Sequence, residues 1–351
     1  MSVTVVVCNY NGEEHLPVCL EALGRMRGEI EECIVVDNAS TDASVDLLAR
    51  DYPHVRVIQT GENAGPSRAR NVGMQAAKTR WVLALDNDAI VAEDTLEKLL
   101  AAAEDSSAVL VQPRSVLDHE PERVHYDGGH LHYVGLIALR NFYTPLGEAL
   151  GEGAVDVDCV IALCLLVDRE KILEIGGYDE RYFILFEDLD LSYRLRARGE
   201  AIRVVEDTIV RHRAGTPGIS FREGPRYPSS RVFYHSRNRW IFLAKNYSAR
   251  ALLLAAPGLL TYELVAFLFA LAGGHPWPWL RGKFAALRAL SGLSAERRLV
   301  QSSRVVSDRE LLRGGPLTVT PAVIAAPWKN AALGLLDGVL KTLWRLVRPF
   351  A

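Results

Sequence analysis

The sequence lacks the glycine-rich motifs that most often bind nucleotide phosphates. No G-x-G-x-x-G follows the first strand-like segment, and no G-x-x-x-x-G-K-[ST] occurs in the chain. The sequence therefore lacks the main evidence for a dehydrogenase fold or a P-loop fold. The zinc-protease motif H-E-x-x-H is also absent. Any phosphate or metal chemistry must rest on other side chains.

Cysteine is scarce, and the N-terminus lacks the features of a secretion signal. The five cysteines show no pair at zinc-ligand spacing, as is typical of buried thiols in a reducing compartment. They are Cys8, Cys19, Cys33, Cys159 and Cys164. The first residues have no positively charged segment before an apolar run, so a cytoplasmic location is expected.

Charge is distributed unevenly along the 351 residues. The formal net charge is −3, but after Lys245 the basic residues outnumber the acidic ones. The preceding part is acidic, as is typical of a catalytic domain with functional carboxylates. A basic, apolar C-terminal part indicates contact with anionic lipid, and nucleic acid is not an expected partner.

Short apolar runs alternate with helix-like segments in the first part of the chain. Strand-like runs occur at residues 3–7, 33–36, 55–58 and 81–85, and helix-like segments lie between them at 13–23, 43–50 and 66–77. This alternation predicts an α/β fold with a parallel sheet. Residues 112–153 are typical of long loops or antiparallel strands. Regular structure is expected again at 155–167, 189–198 and 201–205.

Polar or acidic residues follow three of these strands, at Asn9, at Asp37 and at residues 86–88. Ligands bind beyond the carboxyl ends of parallel strands, so these groups are expected to share one crevice. Asp86 and Asp88 are two residues apart in an extended segment and project to the same side. Together they can hold a divalent cation that takes diphosphate oxygens. The alternative is that they only form a turn, as Asp94 is expected to cap a helix.

A second acidic cluster lies at the start of a predicted helix. Glu187, Asp188 and Asp190 stand close to three aromatic residues, Tyr182, Phe183 and Phe186. Partial desolvation makes a carboxylate a better general base, and general-base catalysis contributes about 10²–10⁴ in rate. The alternative is that Asp188 or Asp190 caps the helix and the other acids favour its dipole.

Two further side chains have open interpretations. His212 follows a strand-like stretch and is either a metal ligand or a histidine with a surface or core role. Arg70 lies on a helix that begins near the strand ends, so it either reaches a phosphate or nucleobase or is solvated.

Six segments taken together resemble the family 2 glycosyltransferases in order and spacing. They are VVVCNYNG, VVDNASTD, NAGPSRARNVG, LALDNDA, GGYDERYFILFEDLDLSYRLRARG and IVRH. With RNRW near Arg237, they are most similar to the bacterial rhamnosyltransferase-type branch. The resemblance covers residues 2–246 and implies a GT-A fold, with a mostly parallel central sheet flanked by helices. It implies a catalytic domain at 1–246, with a nucleotide-binding part (1–112) and an acceptor-binding part (113–246), before a helical region at 247–351.

The resemblance also implies nucleotide-binding roles for single residues. Tyr10 and Asp37 match positions that hold the nucleobase, and Arg70 matches a further nucleotide contact. Cys8 is in the same segment as Tyr10 but stands where the family commonly has threonine or proline, so the preferred nucleobase stays open.

Metal and catalytic roles follow from the same resemblance. Asp86 matches the aspartate that contacts the ribose or the metal shell, and Asp88 matches the direct ligand of a divalent cation, Mn²⁺ or Mg²⁺. His212 matches a histidine that completes the metal site in some members. Asp188 matches the general base, and Glu187 is expected to help position the acceptor.

The implied activity is inverting transfer of a sugar from a nucleotide-diphosphate donor, dTDP-rhamnose or a UDP-sugar. The acceptor is a hydroxyl of a glycan or lipid-linked molecule in cell-surface polysaccharide synthesis. Processive synthases carry Q-x-x-R-W, whereas Ser236 replaces that glutamine here before Arg239 and Trp240, which disfavours polymer synthesis. Two alternatives are a sugar-phosphate nucleotidyltransferase and a non-catalytic, membrane-associated module that binds sugar nucleotides.

The C-terminal part contains a long apolar run at residues 251–272, enough to cross a bilayer core of roughly 30 Å. Glu263 near its middle would cost about 2.5–3.5 kcal/mol there, and Pro257 interrupts the run. A later helix is expected to have an apolar face that contains Leu333, Leu336, Leu340, Leu343 and Val347. These features favour interfacial attachment to the inner face of the cell membrane. A soluble helical subdomain or a homo-oligomer interface is the alternative.

Overall fold

The computed structural model of the protein describes residues 1–149, 151, 153–213, 215, 219 and 227–351. The chain divides into two compact units, which are described separately. Unit 1 comprises Met1–Gly128, Arg140–Leu191 and Glu200–Ala214, and unit 2 comprises Gly129–Leu139, Ser192–Gly199 and Gly215–Ala351. The expected domain boundary at residue 246 stays a prediction.

The elements of both units are numbered here in chain order. The strands are β1 (Val3–Asn9), β2 (Ile30–Asp37), β3 (Arg56–Gln59), β4 (Trp81–Asp86), β5 (Ala89–Ile90), β6 (Leu110–Leu117), β7 (Glu120–Tyr126), β8 (Gly129–His132), β9 (Leu136–Leu139), β10 (Ala154–Asp156), β11 (Cys164–Asp168) and β12 (Ile202–His212). The α-helices are α1 (Leu16–Arg25), α2 (Ser44–Asp51), α3 (Pro66–Ala76), α4 (Thr95–Ser106), α5 (Arg169–Glu174), α6 (Glu187–Ala197), α7 (Ser229–Asn246), α8 (Ala249–Ala272), α9 (Pro276–Leu290), α10 (Ser294–Ser303), α11 (Asp308–Leu311) and α12 (Pro327–Val347).

Unit 1 is built on one sheet with the strand order β10-β12-β6-β11-β4-β1-β2-β3. Strands β3, β2, β1 and β4 are parallel. Every residue of β1 is buried, which explains why its sequence is a continuous β-branched run. Register aligns the strand ends, because Asn9 pairs with Asp37 and Cys8 pairs with Asp86. The predicted α/β class with a mostly parallel sheet is confirmed.

The other half of the sheet contains the antiparallel pairings. Strand β11 runs antiparallel to both β4 and β6, and β12 runs parallel to β6. The expected regular stretch at 155–167 is in fact two strands, β10 and β11. Strand β12 continues beyond residue 205 to His212, and its last residues pair with β5. This extension carries His212 alongside the segment that follows β4.

Unit 2 consists of the β8–β9 hairpin and helices α7 to α12, together with the last turns of α6. Helix α7 packs against α9 and α10, and α8 packs against α9 and α12. Tyr133 stacks on Trp344 with 4.7 Å between ring centroids, and its hydroxyl donates to the Leu340 carbonyl at 2.9 Å. The predicted apolar face of α12 thus points into this unit, where Leu336 and Leu340 are buried.

Candidate active site

The loops after β1, β2 and β4 are joined by hydrogen bonds around the buried Asp37 carboxylate. Its Oδ1 accepts from Asn9 Nδ2 at 2.8 Å and from the Ser40 hydroxyl at 2.6 Å, and its Oδ2 accepts from the Ser40 backbone N–H at 3.0 Å. Asn9 Oδ1 in turn accepts from Asn87 Nδ2 at 2.7 Å. These bonds hold the three strand ends in one arrangement.

Gly12 leaves the space that this arrangement needs. A Cβ atom at this position would lie 2.1 Å from Asn9 Oδ1 and 2.2 Å from Asn87 Nδ2. Nearby, Tyr10 is exposed, so its ring is accessible to a flat ligand. Cys8 is buried, and burial raises the pKa of its thiol to about 12, so it stays protonated.

Arg70 connects the end of β4 with the acidic cluster at the start of α6. Its Nη2 lies 2.7 Å from Asp86 Oδ1, and its Nη1 lies 3.9 Å from Glu187 Oε1. The guanidinium is buried and lies 5.4 Å from the centre of the Tyr178 ring. Burial raises the pKa of Asp86 to about 6, Arg70 opposes this effect, and Asp88 adds to it.

Asp88 and His212 form the second pair at this edge of the sheet. Asp88 Oδ2 lies 3.1 Å from His212 Nε2, and both side chains are largely buried. The pair is positioned by antiparallel pairing of β5 with β12, in which His212 is opposite Ala89. His125 lies beside the pair, with its ring centroid 5.3 Å from that of His212. No sequence motif pointed to His125, which is close only in the folded chain.

The spacing of Asp88 and His212 suits two ligands of one cation. Two atoms about 2.1 Å from an octahedral ion and at right angles to each other lie about 3.0 Å apart. Within the described ranges, however, no three His, Cys, Asp or Glu side chains form a preformed metal cluster. Asp86, the third protein ligand expected from the resemblance, has one oxygen, Oδ1, paired with Arg70.

Glu187 and Asp188 are both buried at the start of α6. Asp188 Oδ2 accepts from the Ala162 backbone N–H at 2.9 Å. Asp188 Oδ1 and Glu187 Oε2 are buried and have no hydrogen-bond partner in the described part of the chain. Burial raises the pKa of both carboxyls, their mutual repulsion adds to the rise for Glu187, and Arg70 opposes it.

Asp190 has a different environment from its two acidic neighbours. It is fully buried and accepts a hydrogen bond from the Tyr182 hydroxyl at 3.1 Å. This hydrogen bond indicates a structural role for Asp190. Asp188, by contrast, has one buried carboxylate oxygen, Oδ1, that accepts no hydrogen bond in the described part of the chain.

The segment before these acids adopts unusual backbone conformations. Phe183, Leu185 and Phe186 have φ values of 61°, 65° and 77°. Bulky residues rarely take positive φ, and such strain is typical of ligand clamps and active sites. Asn71 supports the preceding turn, because its Nδ2 donates to the Tyr178 carbonyl at 2.9 Å and its Oδ1 accepts from the Tyr178 backbone N–H at 2.8 Å.

The structure thus brings together side chains that the sequence separates widely. Asp86, Arg70, Glu187 and Asp188 form one continuous group, and Asp88 with His212 lies next to Asp86. The roles of these residues, and of Cys8, Tyr10 and Asp37, stay predictions. The sequence placed Asn9 and Asn87 at the strand ends but gave them no separate role, and the structure shows that their amides join the ends of β1, β2 and β4. Asp94 is at the start of α4 as expected, but its carboxylate accepts from Thr208 and pairs with Lys98 and makes no capping bond.

Comparison with known proteins identifies the group of enzymes to which the chain is related. Residues 4–163 match the family described as Glycosyl transferase family 2. The chain is 29% identical over 268 residues to an N-acetylglucosaminyl-diphospho-decaprenol L-rhamnosyltransferase of Mycobacterium tuberculosis, covering 70% of this chain and 84% of that protein. The predicted resemblance is confirmed, and the enzyme class is glycosyltransferase.

Solved structures share the fold. TarS 1–349 of S. aureus in complex with UDP-GlcNAc matches with a TM-score of 0.52 and 16% identity, over 99% of this chain and 92% of that chain. GalNAc-T7 with UDP, GalNAc and Mn²⁺ matches with a TM-score of 0.53 and 18% identity, over 70% of this chain and 50% of that chain. The predicted GT-A fold with a C-terminal helical region is confirmed.

Proposed function

We propose that this family 2 glycosyltransferase moves a sugar from a nucleotide-diphosphate donor to a hydroxyl of a glycan or lipid-linked acceptor, with inversion at the anomeric carbon. The observation that carries the proposal is the continuous group formed by Asp86, Arg70, Glu187 and Asp188 beyond the carboxyl ends of β1, β2 and β4. It puts the buried Arg70 guanidinium beside the partly exposed carboxylate of Asp86 and the buried carboxylates of Glu187 and Asp188.

The nucleotide would bind at the strand ends. Asp37 is held by three donated hydrogen bonds and is well placed to orient a nucleobase or ribose. Tyr10 offers an exposed ring for stacking. The protonated Cys8 thiol adds no charge, and Arg70 supplies a positive charge near the phosphates.

Asp86, Asp88 and His212 would hold the divalent cation, Mn²⁺ or Mg²⁺. Two carboxylates and one imidazole suit these ions, since both prefer oxygen ligands and Mn²⁺ also accepts nitrogen. Burial and the nearby Asp88 carboxylate both raise the pKa of Asp86. A bound cation would stabilise the negative charge of these two carboxylates. When bound, such an ion neutralises charge on the departing diphosphate. The presence of Mn²⁺ in the GalNAc-T7 structure supports this assignment.

Asp188 would act as the general base in a single displacement. Its Oδ1, which accepts no hydrogen bond in the described part of the chain, would take the proton of the acceptor hydroxyl while the acceptor oxygen bonds to the anomeric carbon. The bond from that carbon to the diphosphate oxygen breaks, and its electron pair leaves with the diphosphate. Glu187, one residue away and close to Arg70, would position the acceptor. A single displacement inverts the configuration without a covalent intermediate.

Two donor classes are supported by the comparisons. The mycobacterial relative is an L-rhamnosyltransferase, which favours dTDP-rhamnose. The TarS structure contains UDP-GlcNAc, which favours a UDP-sugar. The lipid-linked acceptor in the name of the mycobacterial relative supports action in cell-surface polysaccharide synthesis, on the cytoplasmic side of the membrane.

The direct test is to incubate the full chain with single nucleotide sugars and to measure release of the nucleoside diphosphate. Release is expected from one donor class with Mn²⁺ or Mg²⁺, and it should stop when the cation is chelated. A nucleotidyltransferase would instead release pyrophosphate from a nucleoside triphosphate and a sugar 1-phosphate. A binding module would bind the donor without releasing product. Either result would overturn the proposal.

A further inference from the structure

Helix α8 in unit 2 is apolar along most of its length, apart from Arg250 and Glu263, but it is only partly covered. By length and composition it is the one helix of the described residues that could cross a membrane, with a mean hydropathy of 1.9 in an 18-residue window. Its inward side is made of small residues, and a Cβ added at Gly258 would lie 2.1 Å from the Tyr133 hydroxyl. Its outward side exposes leucines at helical spacing, which are Leu253, Leu260, Leu264, Leu268 and Leu271.

Glu263 links α8 to helices α7 and α9 through ion pairs. Its Oε2 lies 2.6 Å from Arg239 Nη1 on α7, and its Oε1 lies 2.5 Å from Lys283 Nζ on α9. Trp240 Nε1 also donates to Oε2 at 3.0 Å. If α8 spanned a bilayer, it would carry these charges of α7 and α9 towards the hydrocarbon centre. The ion cluster therefore favours a helix that lies in the plane of a membrane surface.

The two helices that pack against α8 also have outward apolar residues. Helix α9 exposes Trp277, Leu280, Phe284 and Leu287, and helix α12 exposes Trp328, Leu335, Val339 and Leu346. The exposed apolar residues of α8, α9 and α12 named in this subsection are called the apolar face from here on. They are not the α12 residues that point into unit 2. Soluble monomers rarely expose so many large apolar side chains on adjoining elements, and such a face marks an interaction surface.

A pocket of basic residues lies at the C-terminal end of α12. Arg309, Arg345 and Arg348 line it together with Pro349, and its volume is about 320 Å³. Arg348 Nε donates to the Arg309 carbonyl at 3.1 Å, which fixes one side chain of the set. Guanidinium groups bind phosphate oxygens in pairs of parallel hydrogen bonds. Exposed tryptophans and arginines beside an apolar face are typical of the lipid headgroup zone.

We infer that unit 2 docks in the plane of an anionic lipid monolayer, with the apolar face among the acyl chains and the arginine pocket on headgroup phosphates. Charge complementarity identifies the occupant, because an apolar protein partner would not need three arginines that line one pocket. These surfaces belong to unit 2, and lipid binding is an activity beyond sugar transfer. It can be tested without any donor.

The test is flotation of the full chain with vesicles of phosphatidylcholine alone or mixed with phosphatidylglycerol. We expect binding to the mixed vesicles and weak binding to phosphatidylcholine. Arg309→Gln with Arg345→Gln and Arg348→Gln should lower the partition coefficient for the mixed vesicles by about a hundredfold, at about 1 kcal/mol for each basic residue. Leu264→Glu with Leu268→Glu should abolish binding to both.

Matched controls separate these effects from general changes of charge or surface. Leu299→Glu on α10 and Arg50→Gln in unit 1 change exposed residues outside the proposed face and should leave vesicle binding unchanged. Wild-type protein that stays unbound would overturn the inference. So would vesicle binding by the Leu264→Glu, Leu268→Glu variant, or a wild-type dimer that this variant converts to a monomer. Donor hydrolysis in solution, measured on the same variants, should stay normal and reports separately on the proposed enzyme activity.

Discussion

Asp88 and His212 come from distant parts of the chain, and their side chains meet with 3.1 Å between Oδ2 and Nε2. Pairing of β5 with β12 sets this distance. A hydrogen bond between the two atoms and a shared cation are alternative states of the same pair. Occupancy by a cation is therefore expected to control activity.

His212→Ala should raise the Mn²⁺ concentration needed for half-maximal activity by at least about tenfold. The reason is that the variant loses one nitrogen ligand but keeps both carboxylates. The measurement is a Mn²⁺ titration of nucleoside diphosphate release. His54→Ala changes an exposed histidine far from the strand ends and should leave the titration unchanged. An unaltered Mn²⁺ dependence in His212→Ala would remove His212 from the metal site.

Asp188→Asn should lower turnover by about 10²–10⁴ and leave nucleotide affinity unchanged, because only the proton acceptor is lost. Turnover and calorimetric binding of the nucleoside diphosphate check this. Asp190→Ala is the contrasting variant. It removes the hydrogen bond that the Tyr182 hydroxyl donates to a buried carboxylate, so the free energy of unfolding should fall by about 1–3 kcal/mol. Equal losses of turnover in both folded variants would contradict the separate roles.

Burial raises the pKa of Glu187 and Asp188, and two pH dependences follow. Activity needs the ionised base, so kcat/KM should fall on the acid side with an apparent pKa above the ordinary carboxyl value of about 4. Because the folded state binds these protons more tightly than the unfolded state, ionisation destabilises the fold as the pH rises above that ordinary value.

Glu187→Gln removes this cost of ionisation. The variant should be more stable than the wild type at alkaline pH, by about 1 kcal/mol or more, and the difference should disappear near pH 4. Urea unfolding at several pH values measures it. A difference that is constant with pH would show that Glu187 does not titrate with a raised pKa.

Gly12→Ala should weaken nucleotide binding and lower the free energy of unfolding by about 1–3 kcal/mol. The added methyl group would collide with Asn9 and Asn87, whose hydrogen bond joins the ends of β1 and β4. Gly24→Ala is the matched control, because a Cβ there meets no atom within 4 Å. It should be neutral or slightly stabilising in helix α1. Normal binding by Gly12→Ala would contradict the proposed role of the strand ends.

Glu263→Leu should destabilise the protein by about 3–5 kcal/mol, because it leaves Arg239 and Lys283 as buried charges without their partner. Burial opposes ionisation of Glu263, but Arg239 and Lys283 outweigh it and lower its pKa. Urea unfolding is the measurement, and Glu104→Gln, at an exposed site in unit 1, is the control. A Glu263→Leu variant that is as stable as the wild type would contradict the stabilising role of this ion cluster.

Ser236 illustrates how packing explains a departure from a motif. The Ser236 hydroxyl donates to the Trp279 carbonyl at 2.8 Å. A Cβ atom added at Gly282 would lie 2.9 Å from the Cβ of Ser236. A glutamine at this position would not fit between α7 and α9. Arg239 and Trp240, which follow it, instead bind Glu263. The sequence identified the substitution, and only the packed helices show its cause.

The sequence by itself determined the features that depend on near neighbours. Alternating strands and helices, polar residues after the strands, and the apolar run that became α8 are all local patterns of side-chain period and turn chemistry. They were sufficient to predict the α/β class and the crevice at the strand ends. Six ordered segments were sufficient for the resemblance to the family.

Only the tertiary structure decided which distant groups meet. His212 reaches Asp88 because β12 runs beside β6 and pairs with β5, and Asp188 differs from Asp190 because one faces Ala162 and the other faces Tyr182. The same holds for Glu263, whose partners come from α7 and α9. Such contacts depend on strand order and helix packing, which minimise exposed apolar surface over the whole chain and leave no local sequence signal.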